Sequence, residues 1–216
     1  MHINEGNRAG DLDAPAPTRH PPEAALVAWD AEAVRTSTEI VTQATAADLA
    51  RRTPCAGWLL RDLLAHMTAQ HRGFTAAAEG QTSLTPWQVR FEDEPVEAYR
   101  SAAAYLREVF ARPGILERRF FLPEIAADRT FPAAQAIGFH FLDYVVHSWD
   151  VAKAMGTTVQ FAPDLLDAAL TIAKAVPGGS ARLAPRAAFA PALPWRGGSQ
   201  LDRILALLGR SPTWPQ

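Results

Sequence analysis

The residues with most chemistry in this chain stand close together: His140, Asp143, His147 and Asp150, inside the segment from Gly138 to Asp150. On a helix turning about 100° per residue, these four side chains fall within an arc of about 80°. The rest of the segment is largely apolar, with Phe139, Phe141, Leu142, Val145, Val146 and Trp149 among its residues. A helix apolar on most sides is buried on most sides, so the polar stripe is expected to line an internal cavity or cleft. Carboxylates and imidazoles are costly to bury without partners, and a cation offsets that cost. Asp143 and His147, at i and i+4, reach one point above the same helical turn. A carboxylate with an imidazole suits zinc, iron, nickel or manganese.

A third ligand must come from another element. His66 is the candidate, in the middle of a helical stretch that also carries Asp62 one turn earlier; Asp62 could orient the imidazole as an outer acceptor. Three protein ligands with further positions left for water is the open, catalytic arrangement. Each residue also has a plainer reading. His66 alone could be a core or surface residue, and Asp143 with His147 a hydrogen-bonded core pair. His140 could be a fourth ligand, a base beside the metal, or a polar residue near a cavity mouth. Asp150 reads as a salt-bridge or capping partner, and Trp58 and Trp149 as core or pocket wall. Cys55 has no base beside it in the sequence that would make it a nucleophile.

The elements that must position these residues can be read from apolar periodicity. A helix is expected from Glu23 to about Thr45, with a second start after Asp48. Thr53-Pro-Cys-Ala-Gly-Trp58 breaks the chain. A helix from about Leu59 to Ala78 carries His66. A loop from Gly80 to Glu94 leads to a helix starting at Pro95 and ending near Ala111. Residues 115–130 are ambiguous, with a short strand possible around Arg119-Phe120-Phe121. A long helix from about Pro132 to Met155 is closed by Gly156, and another runs from Pro163 to about Ala175. After a Pro- and Gly-rich stretch over 177–199, a short amphipathic helix covers Gln200 to Leu208. The expectation is all-α: an antiparallel four-helix bundle with an extra C-terminal helix. Residues 1–22, polar and proline-rich, read as a flexible arm, and 23–216 as one domain.

Bulk properties narrow the function classes. Charged residues make up 20% of the 216, the formal net charge is -2, and there is no dense basic run, which disfavours nucleic acid. The single cysteine excludes an intramolecular disulfide and fits a reducing cytoplasm. The N-terminal sequence lacks a secretory apolar segment, and no run approaches the roughly 18 apolar residues of a membrane span.

Thr53-Pro-Cys-Ala-Gly-Trp58 followed by Arg61-Asp-Leu-Leu-Ala-His66 resembles the early motif of the mycothiol-dependent maleylpyruvate isomerase-like proteins, within the DinB/YfiT-like metalloenzymes. The stretch from His140 to Ala152 and the ending Leu207-Leu-Gly-Arg-Ser-Pro-Thr-Trp214 are similar to that family too, so the resemblance covers roughly residues 24–215. It implies a DinB-like bundle and a metal site, usually zinc or nickel, whose ligands fall on His66, Asp143 and His147. Similar enzymes use mycothiol or bacillithiol as cosubstrate; a bound metal lowers the thiol pKa and the thiolate attacks an electrophilic carbon. Trp58, Arg61 and Gln70 lie near the inferred site by helical position and are candidates for thiol binding. DinB-like bundles often pair, so a homodimer is allowed.

Three departures from the family pattern stand out. The isomerase has Glu where this chain has Asp143. It also carries a second, C-terminal domain for which this chain is expected to be too short. Leu59 replaces a helix-capping Thr, at a cost of about 1 kcal/mol.

Three functions follow. The first is a metal-dependent transferase or isomerase using a low-molecular-weight thiol on a small electrophile. The second is a thiol-independent bundle enzyme catalysing cyclisation, rearrangement or hydrolysis. The third is a non-enzymatic metal- or ligand-binding stress protein.

Overall fold

The structure is a computed structural model describing residues 23–184 and 187–215; the expected N-terminal arm lies outside the described residues. Four long helices form the body: α1 (Glu23–Val41), α2 (Leu60–Ala78), α3 (Pro95–Phe110) and α4 (Ala133–Met155). Helix α1 packs on α4 and α3, and α2 packs on α3 and α4, which closes a four-helix bundle. Two shorter helices, α5 (Pro163–Ala175) and α6 (Gln200–Leu207), pack on each other, and α5 also packs on α4. The all-α expectation holds, C-terminal helix included. Among the described residues no helix is long and apolar enough to cross a membrane.

Local chemistry sets the boundaries that position the site. Helix α1 stops at Val41, four residues before the expected end. Asp48 accepts from the Thr45 backbone N–H at 2.8 Å and from its hydroxyl at 2.7 Å. This side-chain turn competes with further helix, and the second start shrinks to a 3-10 turn over Asp48–Ala50. The following loop is cinched by a bridge between Arg52 and Leu59 and by Thr53 N–H donating to the Trp58 carbonyl at 3.1 Å. Leu59 caps α2 with no side-chain acceptor. Its backbone N–H instead donates to the Asp62 carboxylate at 2.8 Å, so one half of a capping box survives. Asp62 is thereby committed to the helix end and not to orienting His66.

The ambiguous 115–130 stretch contains β1 (Arg119–Phe121), which pairs antiparallel with β2 (Thr130–Pro132) in a register that opposes Phe120 and Phe131. Both rings point into the core, because directly opposed residues of an antiparallel pair share a face. Helix α4 is buried nearly all round, as its composition demands. Gly156, at φ 71°, ends it in the left-handed conformation that glycine adopts at low cost.

Candidate metal centre

Helices α2 and α4 bring the expected ligands together. One donor atom from each of His66, Asp143 and His147 lies within 4.8 Å of the others. His147 Nε2 is 3.4 Å from Asp143 Oδ1, and the His66 and His147 rings meet edge to face at 5.4 Å. Two imidazole nitrogens and a carboxylate oxygen form a donor set that zinc and similar divalent ions accept, and the residues present fit such an ion. His147 is buried, while Asp143 and His66 retain partial exposure, so one side of the cluster stays open.

Electrostatics bear on the same three residues. Burial, with the charges of His147 and Arg210 nearby, lowers His66 to about 4. Burial also acts to lower His147, but Asp143 and the hydrogen bond to Asp150 outweigh it and hold His147 well above its usual range. The metal-free cluster is therefore a neutral His66 beside an imidazolium at His147.

A second donor group, Cys55, His147 and Asp150, shares His147. Its cation is already present in the chain. Arg210 donates from Nε to Asp150 Oδ1 at 2.9 Å and from Nη2 to Asp150 Oδ2 at 3.1 Å and Cys55 Sγ at 3.2 Å. Asp150 is fully buried and held in its charged form: burial opposes this, and Arg210 and His147 overcome it. The salt-bridge reading of Asp150 is correct, with a partner 60 residues away.

His140 is not part of the His66/Asp143/His147 donor cluster. It shares the azimuth of His147 but sits two turns earlier, about 10.5 Å along the axis. There it is fully buried. Its Nδ1 lies 2.6 Å from Asp30 Oδ1 and its Nε2 lies 3.2 Å from His71 Nδ1. Tyr144 stacks on both imidazoles at 4.2 Å. Both nitrogens being engaged, His140 serves neither as a fourth ligand nor as a base beside the metal. The polar stripe is thus one band in projection and two separate clusters along the helix. His71 went unnoticed in the sequence. Its signal was a histidine set among residues of α2 that the core requires.

The three candidates for thiol contacts divide. Trp58 lies against His66, with ring centroids 5.0 Å apart. Gln70, one turn after His66 on the same face, donates to Glu124 at 2.8 Å, so the β1–β2 connection reaches this side of α2. Arg61 is placed differently. Five residues from His66, it points about 140° away. It lines a cleft of about 350 Å³ with Leu49, Ala65, Thr68 and Phe91. A second cleft, of about 400 Å³, lies along α2 and α3 beside Arg72, Glu79 and Tyr105. Neither cleft is lined by the His/Asp/His cluster.

Fold and site together define a helical bundle with a buried-edge His/Asp/His donor cluster between two of its helices. The chain belongs to the family described as the mycothiol maleylpyruvate isomerase N-terminal domain, whose model matches residues 31–152. Uncharacterized proteins from two strains of Mycobacterium tuberculosis are 32% identical over 164 residues, covering 74% of this chain and 83% of theirs. The crystal structures of the mycothiol-dependent maleylpyruvate isomerase and of a mutant of it share the fold. Each gives a TM-score of 0.60 at 14% identity, over 88% of this chain and 90% of that one.

Proposed function

We propose that this protein is a metal-dependent, thiol-using transferase or isomerase acting on a small electrophilic molecule, with mycothiol or a similar thiol as cosubstrate. The observation that carries the reading is the donor cluster of His66, Asp143 and His147, open on one side, in a chain whose family is named for a mycothiol-dependent isomerase. A divalent cation, zinc first and nickel or iron next, would be held by His66, Asp143 and His147 and would supply a Lewis acid that lowers the pKa of a thiol, the thiol proton passing to solvent. The thiolate adds to an electrophilic carbon. Expelling a leaving group completes a transfer. For isomerisation, addition to a double bond leaves a single bond about which the adduct rotates before the thiolate departs.

The chain's own residues prepare this chemistry. Asp150 accepts from His147 Nδ1 at 2.9 Å, which leaves Nε2 toward Asp143. Trp58 packs against His66 and keeps water from that side of the ring. Gln70 and Glu124 form a polar rim that can meet the hydroxyl and amide groups of a sugar-type thiol.

The test is metal content by plasma mass spectrometry on untagged protein, beside His66→Ala and His147→Ala, followed by turnover assays with and without mycothiol. Stoichiometric metal lost in both variants, and turnover that needs the thiol, support the reading. Full occupancy and activity in His147→Ala sink it.

A further inference from the structure

We infer that Arg210, beyond the helical domain matched by the family and contributed by the segment after α6, is a positioning residue that sets the orientation of the His147 imidazole by clamping Asp150. The inference rests on the proposed metal centre for its consequence, but its geometry stands apart from any metal. Arg210 engages both carboxylate oxygens of Asp150 side-on through Nε and Nη2, and Nη2 also reaches Cys55 Sγ. A planar guanidinium held in this way leaves the carboxylate little freedom to turn. Cys55 donates to Asp150 Oδ2 at 3.3 Å, the same oxygen that accepts from His147 Nδ1 at 2.9 Å. With its ring fixed at Nδ1, His147 presents Nε2 to Asp143. A carboxylate behind a ligating histidine fixes ring and tautomer in this manner; here a distant arginine fixes the carboxylate in turn.

The C-terminal segment is built to deliver that arginine. Arg182 gathers four backbone carbonyls: Pro177 at 2.8 Å, Val176 and Ala190 at 3.2 Å, and Leu207. This ties the end of α6 to the stretch that precedes it. Gly209 follows at φ 77°, packed so closely on Ala190 that a Cβ would sit 2.6 Å from the Ala190 Cβ and 2.8 Å from its backbone. The chain turns there, and Arg210 N–H returns to the Leu205 carbonyl at 2.8 Å. Arg210 then reaches inward to α4 and to the loop that holds Cys55.

The experiment compares the full-length parent with Arg210→Met and Arg210→Lys, each shown folded by circular dichroism. In metal-free protein, long-range proton–nitrogen NMR reads the His147 Nδ1 proton, which should be downfield and slow to exchange in the parent. Arg210→Met should lose this protection, and zinc affinity measured against a chelator should fall by roughly 10- to 100-fold. Arg210→Lys keeps the charge but not the fork, and should fall between. Should Arg210→Met fail to fold, Arg210→Lys carries the same two readouts. An unchanged His147 signal and unchanged zinc affinity in a folded variant overturn the inference. A parent that binds no zinc while the NMR difference persists refutes the metal reading and leaves the positioning role standing.

Discussion

Asp30 on α1 and His140 on α4 meet 2.6 Å apart in the middle of the bundle, both essentially without solvent contact. The pair continues through His71 to α2, so one polar chain links three helices. Among the described residues, His71 Nε2 has no hydrogen-bond partner. Removing one partner of a buried hydrogen-bonded pair leaves the other unsatisfied, at a cost of about 1–3 kcal/mol. Asp30→Ala should therefore destabilise by that amount in urea unfolding. A loss under about 1 kcal/mol would show that the pair contributes little.

The His66 environment predicts acid sensitivity of the metal-free protein. Its folded pKa is lowered to about 4 from the ordinary imidazole value of 6.5. A depressed pKa gives stability that is full above the unfolded value and is lost as pH falls toward the folded one. The window is pH 6.5 down to 4. His71, pushed well below its usual range by burial and by His140, acts in the same direction. His147, held high, acts oppositely: its contribution is full below 6.5 and is lost as pH rises through its folded pKa. In chelator-treated protein, the stability advantage of the parent over His66→Gln should shrink by the order of 3 kcal/mol between pH 7 and pH 4. A pH-independent difference would contradict the assigned environment.

Metal uptake should expel a proton. His147 is an imidazolium in the metal-free cluster, held by Asp143 and Asp150, and only the deprotonated nitrogen can ligate. Apparent zinc affinity should rise with pH, approaching about tenfold per unit, and calorimetry in buffers of different ionisation enthalpy should reveal proton release. Binding that is flat from pH 6 to 8 would place the ion elsewhere.

Trp87 fastens the loop between α2 and α3. Its indole covers Gly73 so closely that a Cβ there would lie 2.3 Å from Trp87 Cδ2. A rigid ring cannot yield as a flexible side chain does. Gly73→Ala should cost about 1–3 kcal/mol, visible as a lowered midpoint of thermal unfolding, with faster proteolysis of the 80–94 loop.

Much of this architecture is legible in the sequence because apolar spacing is a local property. The boundaries of α2 and α4 fall within one residue of expectation, and the i, i+4 relation of Asp143 and His147 holds wherever the helix holds. What escapes is what depends on distance along an axis or across the chain. Angular projection puts His140 with His147, since it ignores the rise of the helix. The Asp150–Arg210 contact joins residues 60 apart, and no periodicity encodes it. Its one trace is physical: a carboxylate on a helix buried nearly all round requires a cation from somewhere. The pairing of β1 with β2 is hidden likewise, each strand being three residues long.

The placement of the three thiol-contact candidates yields a discriminating prediction. Trp58 packs against His66 and Gln70 lies one turn after it on the same face of α2, whereas Arg61 points about 140° away. If a thiol approaches the cluster over Trp58, removing the indole takes away apolar contact made equally in the bound and reacting states. Such uniform binding appears in KM and leaves kcat largely intact. Trp58→Ala should raise the KM for the thiol by about tenfold, roughly 1.4 kcal/mol, with metal content unchanged. Gln70→Ala should act in the same sense, with the added effect of leaving Glu124 without its amide partner. Arg61→Ala should match the parent in both constants. An Arg61 effect larger than that of Trp58 would move the thiol to the cleft on the other side of α2, because no route through the helix connects the two faces.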